Sequence, residues 1–318
     1  MAKRVMLFPG QGAQYPGMGK EFCAAYPEAE EIFQQANEAL DFDLRGICFD
    51  GPAAEVNRTD VCQPGILTTS IAIITVLERR YDLKRDAFFA TAGLSLGEYT
   101  AFVFAGVLAF QDALRLVAKR GRFMQEDSDR HPSGMMTLLG ASPEQAVQIC
   151  EACAGENVLV PANYLGPGQI AISGSLEALD RAESKLKEFK IKRGIRLKVA
   201  GAFHSKLMEQ GGTKLKAALD DVEFNAPKTA VISNVTGDYV SSPDEIRGCL
   251  ARQVTSPVLW HDSMNRCVGD EVKEFFEPGP GKVLTGIIRK IDKDLSIYNL
   301  DDPGEAANFV TGCRSEDP

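Results

Sequence analysis

Ala87-Phe88-Phe89-Ala90-Thr91-Ala92-Gly93-Leu94-Ser95-Leu96-Gly97 decides the fold class of this chain. Its first half is a short apolar run of the kind that forms a buried strand, and it breaks at Gly93. A helical pattern resumes over 96–104. A strand that turns sharply into a helix through G-x-S-x-G pushes the serine hydroxyl out of the backbone, and the flanking glycines relieve the crowding of that turn. Ser95 is therefore the candidate nucleophile. The amide of Leu96 opens the helix and is placed to donate to an oxyanion. Taken alone, the same residues also describe a serine helix cap between two glycines.

Strands and helices alternate on both sides of this segment. Val5-Met6-Leu7-Phe8 reads as a first strand running into a turn, Pro9-Gly10-Gln11-Gly12. Helical periodicity covers 26–40, 64–80 and 110–126, the last with Leu114, Val117, Gly121 and Met124 on one face. This alternation predicts an α/β fold with a mainly parallel sheet. The pattern changes after Asp127. Ser128-Asp129-Arg130-His131-Pro132-Ser133-Gly134 reads as a polar linker. Strand 135–139, helix 143–153, strands 158–163 and 169–173, helix 176–189 and strand 195–199 then give the order β-α-β-β-α-β, a ferredoxin-like unit. Ser142, Pro143 and Gln145 mark a capped helix start. The first pattern returns with helix 204–219, strand 230–233, helix 248–254, strand 272–277 and helix 283–290, and the residues after Asp301 read as a loosely held tail. The expected division is a larger unit, 1–128 plus 201–318, with a smaller unit, 129–200, inserted in it.

Composition bounds the function. The chain has 318 residues, a soft prior of about two domains. Its formal net charge of −9 disfavours nucleic acid as a partner, since affinity there comes from neutralised phosphates. Of the eight cysteines, Cys150 and Cys153 make a lone C-x-x-C with no second pair or histidine at zinc spacing, so no metal site is expected and the thiols read as reduced. No run approaches about 18 uninterrupted apolar residues, so no membrane span is expected. No signal-peptide pattern precedes the first strand, which points to the cytoplasm, or to a matrix after removal of a leader.

A nucleophilic serine needs a base, and the chain has three histidines. His131 lies in the linker with a solvent-exposed reading. His261 follows Trp260 near a helix start and reads as structural. His204 sits in Val199-Ala200-Gly201-Ala202-Phe203-His204-Ser205, where a strand exits toward a helix. Sites in α/β sheets form at the carboxyl ends of strands, which makes His204 the candidate base by position. Taken singly it also reads as a hydrogen-bonded loop histidine. Gln11, in the loop after the first strand, is placed to supply a second oxyanion amide. Two phosphate patterns fail on their spacing: Tyr15 stands where a dinucleotide fingerprint needs its last glycine, and Phe276 and Val283 interrupt a P-loop around Pro278-Gly279-Pro280-Gly281-Lys282.

Together, segments along nearly the whole chain resemble the malonyl-CoA:acyl carrier protein transacylase family. They are Phe8-Pro9-Gly10-Gln11-Gly12, Gly93-Leu94-Ser95-Leu96-Gly97-Glu98, Arg120-Gly121-Arg122-Phe123-Met124-Gln125, Asn163-Tyr164-Leu165-Gly166-Pro167-Gly168-Gln169 with Ile172-Ser173-Gly174, Gly201-Ala202-Phe203-His204-Ser205, Arg252-Gln253 with Pro257-Val258, and Glu277 through Gly286. The resemblance implies an α/β-hydrolase-like domain with an inserted ferredoxin-like one. It implies that Ser95 attacks a thioester carbonyl, that His204 takes its proton, and that the backbone carbonyl of Gln253 orients the imidazole. It further implies an oxyanion hole from the amides of Gln11 and Leu96, and a carboxylate clamp at Arg120. Phe203 resembles members selective for plain malonyl, since a ring there crowds an α-methyl branch. Leu94 departs from the pattern, because many members carry histidine before the nucleophile. The implied reaction is a ping-pong transfer from malonyl-CoA to acyl carrier protein, with no metal or redox cofactor. Both partners are anionic. The cationic stretch Lys185, Lys187, Lys190, Lys192, Arg193, Arg196 and Lys198, and the pair Arg289-Lys290, are candidate docking ground, although singly such residues are ordinary solvated charges. Two rival readings are an editing acyl hydrolase, which has no use for a buried cation at Arg120, and a non-catalytic carrier-protein binding module, which needs neither Ser95 nor His204.

Overall fold

The computed structural model describes residues 3–314, with side chains through residue 308. A six-stranded sheet is built from β1 (Arg4–Phe8), β2 (Ala90–Gly93), β7 (Ala230–Ile232), β8 (Tyr239–Val240), β9 (Glu274–Glu277) and β10 (Ser296–Asn299), in the order β10-β9-β1-β2-β7-β8. All neighbours run parallel except β7 and β8. β1 is central, and Val5, Met6, Leu7 and Phe8 are all fully buried. That is why it reads as an unbroken apolar run: helices cover both faces of a parallel sheet. Successive side chains alternate between the faces. Met6 and Phe8 join one cluster with Ile66, Phe102 and Val117. Val5 and Leu7 join the other with Trp260, Leu284 and Ile288.

A second sheet holds β3 (Ser133–Leu139), β4 (Leu159–Gly166), β5 (Gln169–Ser175) and β6 (Arg193–Arg196), all antiparallel, in the order β4-β5-β3-β6. Helices Pro143–Ala154 and Leu176–Lys185 share an apolar cluster with it, including Met136, Ile149, Ile172 and Leu179. The capping box at Ser142 and Gln145 is present as read. Cys150 and Cys153 are buried in that cluster.

Several expectations are corrected. The polar linker over 128–134 does not exist as a loop. Helix Phe110–Arg130 takes its first three residues, and Ser133 and Gly134 already belong to β3. Its polar residues have internal partners: Asp127 accepts from the Gly211 amide at 2.7 Å, and the Ser128 hydroxyl donates to the Met124 carbonyl at 2.7 Å. The helix expected from His204 begins later. Ser205 caps a short turn, Lys206–Met208, and the α-helix spans Glu209–Asp220. The strand expected over 195–199 is Arg193–Arg196; beyond it the Leu197 amide still donates to the Met135 carbonyl at 2.9 Å, and Val199 lies outside the strand. The tail expected after Asp301 instead carries helix Pro303–Arg314, with Ala306 buried, and Asp301 itself accepts from the Gly281 amide at 2.9 Å; strand β10, just before it, was not expected. The helix expected over 64–80 is Thr59–Tyr81, with Pro64 inside it. It is long and apolar enough to cross a membrane, with mean hydropathy 1.5 in its best window, yet 94% of that window is buried in the protein core. Threonine and serine interrupt its apolar run; Thr69 and Thr75 satisfy their hydroxyls on the carbonyls of Gly65 and Ile71, both at 2.8 Å.

Candidate active site

β1 and β2 are adjacent and parallel, with Phe8 paired to Gly93. Their carboxyl ends therefore release the Gln11 loop and the Ser95 turn side by side. Ser95 has a φ of +51°, a left-handed conformation that L residues adopt at a cost of about 1–3 kcal/mol. The flanking glycines are required by space. A Cβ on Gly93 would lie 2.0 Å from the Gly97 carbonyl, and one on Gly97 would lie 2.1 Å from the Phe8 carbonyl oxygen. Asn234, just after β7, clamps the turn. Its Oδ1 accepts from the Ser95 amide at 2.6 Å and its Nδ2 donates to the Gly93 carbonyl at 2.7 Å.

His204 also has a left-handed φ, +60°, which swings its ring back toward the turn. Its Nδ1 lies 2.9 Å from the Gln253 carbonyl and 3.1 Å from the Ser256 carbonyl. Carbonyls only accept, so Nδ1 carries the proton and Nε2 is left as an acceptor. The Ser95 hydroxyl, 2.8 Å away, donates to it. The ring is 3% exposed.

Arg120 comes from the helix Phe110–Arg130. That helix crosses Thr59–Tyr81 closely at Gly121, where a Cβ would lie 2.3 Å from the Thr59 carbonyl oxygen. The close crossing sets Arg120 against Gln63: Nη1 donates to Gln63 Oε1 at 2.7 Å. Nη2 donates to Gln253 Oε1 and to the Ser95 hydroxyl, both at 3.0 Å. The guanidinium is 1% exposed and forms no ion pair among the described residues.

Ser95, His204, Arg120, Gln11, Leu94 and Phe203 line one cavity of about 70 Å³, together with Met135, Asn163, Leu197 and Val199 from the second sheet and its exit. The amides of Gln11 and Leu96 donate to no group among the described residues. A larger hollow of about 510 Å³, lined by Lys282, Arg289 and Glu305, holds none of the candidate catalytic, oxyanion or carboxylate-binding residues. The structure thus brings together Ser95, His204, Arg120, Phe203, Gln11, Leu96 and the Gln253 carbonyl.

A protein-family profile described as the acyl transferase domain matches residues 5–296. The malonyl CoA-acyl carrier protein transacylase of Bacillus subtilis (strain 168) is 41% identical over 304 residues, 95% of each chain. That of Escherichia coli (strain K12) is 39% identical over 307 residues, 96% of this chain and 98% of the relative. The chain belongs to the malonyl CoA-acyl carrier protein transacylase family. The crystal structure of the Clostridium perfringens transacylase superposes with a TM-score of 0.93 at 38% identity, covering 99% of this chain and 98% of the other. A malonyl-transacylase solved in complex with a type II PKS acyl-carrier protein superposes equally, at 0.93 and 34% identity, covering 98% and 100%.

The electrostatics of this transacylase-family site follow from its burial. Burial, and then the Arg120 charge, hold the His204 imidazole down to about 4, against the opposing pull of the two carbonyls. Burial draws the Arg120 guanidinium below its usual range, while Tyr99, Glu98 and Cys62 pull it back. Glu98 is fully buried, and burial pushes its carboxyl up to about 7 against hydrogen bonds from Ser233, Asn234 and Gln253. Sequence reasoning missed Gln63, Glu98, Asn234, Ser256 and the Gln253 side chain as parts of this network. A signal existed for Glu98, the lone charge in the apolar helix Gly97–Phe104. Of the cationic candidates, Lys187, Lys190, Lys192, Arg193, Lys198, Arg289 and Lys290 are exposed. Arg196 is instead paired with Asp180 and Glu183, at 2.6 and 2.9 Å.

Proposed function

We propose that the protein transfers a malonyl group from coenzyme A to the phosphopantetheine thiol of acyl carrier protein, through a malonyl ester on Ser95. The observation that carries this reading is Arg120: a buried guanidinium with only neutral partners, one arm 3.0 Å from the Ser95 hydroxyl. An unpaired cation beside a nucleophile calls for a substrate that brings its own anion. The relatives' names, which specify malonyl CoA and acyl carrier protein, support the same substrates.

In this reading His204 Nε2 takes the Ser95 proton as Oγ attacks the thioester carbonyl. The tetrahedral oxyanion takes the open amides of Gln11 and Leu96. Collapse breaks the C–S bond, and the coenzyme A thiolate leaves with the proton from the imidazolium. The carrier thiol then gives its proton to His204, attacks the ester, and Ser95 regains the proton as it leaves. The Gln253 carbonyl keeps the imidazole in the Nδ1–H form throughout, and Phe203 walls the acyl pocket.

The same reading divides the chain into an α/β-hydrolase-like body and an inserted ferredoxin-like unit. The elbow at Ser95 supports the first, and the antiparallel order β4-β5-β3-β6 with two helices supports the second. The helix Phe110–Arg130, which packs against the body helix Thr59–Tyr81, supports a crossing at 131–132 in this reading. The exposed cations near Lys192 and Lys198 offer ground for an anionic carrier. A cytoplasmic location fits the free thiols of the described cysteines.

Intact-mass measurement after mixing with malonyl-CoA tests the proposal. The wild-type chain should gain one malonyl adduct that the carrier thiol discharges, and Ser95→Ala should gain none. An adduct on the alanine variant, or discharge to water as fast as to the carrier, would sink it.

A further inference from the structure

We propose that Glu98 is a positioning residue: acting through the Gln253 carboxamide, it holds the Arg120 guanidinium open toward Ser95 and so sets the preference for a carboxylate-bearing acyl group. This rests on the proposed transferase reading.

The hydrogen bonds leave little freedom. Glu98 Oε1 accepts from the Asn234 amide at 3.0 Å, and its Oε2 accepts from Gln253 Nε2. Gln253 Nε2 also donates to the Ser95 carbonyl at 2.9 Å. Both amide protons of Gln253 therefore have acceptors, and its Oε1 must face Arg120, 3.0 Å from Nη2. A carboxylate can only accept, so Glu98 dictates which end of the Gln253 amide faces the guanidinium. Gln63 Oε1 holds the other arm at 2.7 Å.

The arrangement resolves a conflict. A buried guanidinium without an anion is costly, but a carboxylate bound directly to it would occupy the fork that the substrate needs. Here the anion stands one amide away. It stabilises the charge and polarises Gln253, yet leaves Nη2 beside the Ser95 hydroxyl.

Glu98→Gln is nearly isosteric and isolates the effect. The Asn234 amide demands the new residue's oxygen, so its NH₂ must face Gln253. Gln253 then turns its oxygen to that NH₂ and presents its own NH₂ to Arg120, donor against donor.

The test measures kcat/KM for malonyl-CoA and acetyl-CoA at pH 8 on wild type, Glu98→Gln, Arg120→Ala and the double variant, with near-UV circular dichroism on each. Glu98→Gln should lower the malonyl-to-acetyl ratio about tenfold, which is ~1.4 kcal/mol. In the Arg120→Ala background the same change should leave the ratio where it is, because the route through the guanidinium is gone. A ratio unchanged by Glu98→Gln, or lowered equally with and without Arg120, overturns the proposal. A merely structural Glu98 would depress both substrates together. If Glu98→Gln does not fold, Gln253→Met removes the same link, and an unchanged ratio there overturns the proposal equally. A wild type with no malonyl preference defeats the transferase reading itself; a wild-type preference that needs Arg120 but not Glu98 defeats only this inference.

Discussion

Arg120 and His204 meet at one hydroxyl, and each changes what the other can do. Arg120 donates to Ser95 Oγ while His204 accepts from it. Malonyl differs from acetyl by a carboxylate, and a charge-assisted hydrogen bond contributes ~1.5–3 kcal/mol. Arg120→Ala should therefore lower kcat/KM for malonyl-CoA by about 10–100-fold while acetyl-CoA is kept or gains. Arg120→Lys should recover part of the loss, since an ammonium keeps the charge but not the fork. Equal loss of both substrates would make Arg120 structural. The second consequence is in pH. With His204 held down to about 4, the imidazole is neutral, and able to accept the Ser95 proton, at every pH above that value. Acylation by acetyl-CoA, which makes no use of the Arg120 fork, should stay level from neutrality to about pH 5 and reach half near the His204 value. Arg120 is the second cause of that depression, after burial. Removing it raises the imidazole back toward its ordinary 6.5, so the acid limb for acetyl-CoA should move to higher pH in Arg120→Ala. A limb that stays in place, or moves down, contradicts this account.

The helix pair that carries Arg120 and Gln63 is set by one missing methyl. A Cβ at Gly121 would lie 2.3 Å from the Thr59 carbonyl oxygen, so Gly121→Ala must part the two helices or bend one. Overpacking of this kind costs ~1–3 kcal/mol, readable as a lower urea midpoint. Parting the helices also lengthens the bond from Arg120 to Gln63, now 2.7 Å, so malonyl selectivity should fall with stability. Stability lost with selectivity intact would place Arg120's orientation elsewhere. At this scale the sequence is uneven to read. The turn at Ser95 was legible because sterics leave few residues able to make it, and the helix from Pro143 because its capping box is local chemistry. The start of the 128–134 stretch was misread because Ser128 and the preceding Asp127 look solvated, while Ser128 donates one helical turn back to Met124 and Asp127 takes the distant Gly211 amide. β8 and β10 are only two and four residues long, and each is specified by its neighbour rather than by its own periodicity. The candidate Ser95, His204 and Arg120 were readable as residue types in a pattern. Glu98, Gln63 and Asn234 act through distant partners, 57 to 155 positions away, which no local pattern carries.

The cavity belongs to the whole molecule. Its reactive groups come from the large sheet and its helices, while Met135 and Asn163 of the second sheet, and Leu197 and Val199 on the chain leaving it, close it from the other side. The smaller cluster around Met136, Ile149 and Ile172 is separate from the two that sandwich the large sheet. The second sheet therefore has a core of its own, and its position over Ser95 depends on what ties it down. One such tie is backbone pairing with the loop after Gln253: the Tyr164 amide donates to the Val258 carbonyl at 2.9 Å, and the Val258 amide donates to the Ala162 carbonyl at 2.8 Å. That loop and the helix end it follows also supply the two carbonyls that orient His204, from Ser256 and Gln253. Loosening it should affect the cavity wall and the base together. Val258→Pro keeps an apolar side chain of similar size but removes one of the two donors, at a cost of ~1–3 kcal/mol once the lost bond and the unsatisfied carbonyl are counted. Hydrogen exchange should quicken over residues 159–175 while β1 and β2 keep their protection, because those strands are paired only within the large sheet. The KM for malonyl-CoA should rise as the wall carrying Asn163 retreats, and kcat should fall as the imidazole loses its fixed tautomer. Uniform acceleration of exchange across both sheets would mean that they open as one unit, and the tie at Val258 would then be incidental to the site.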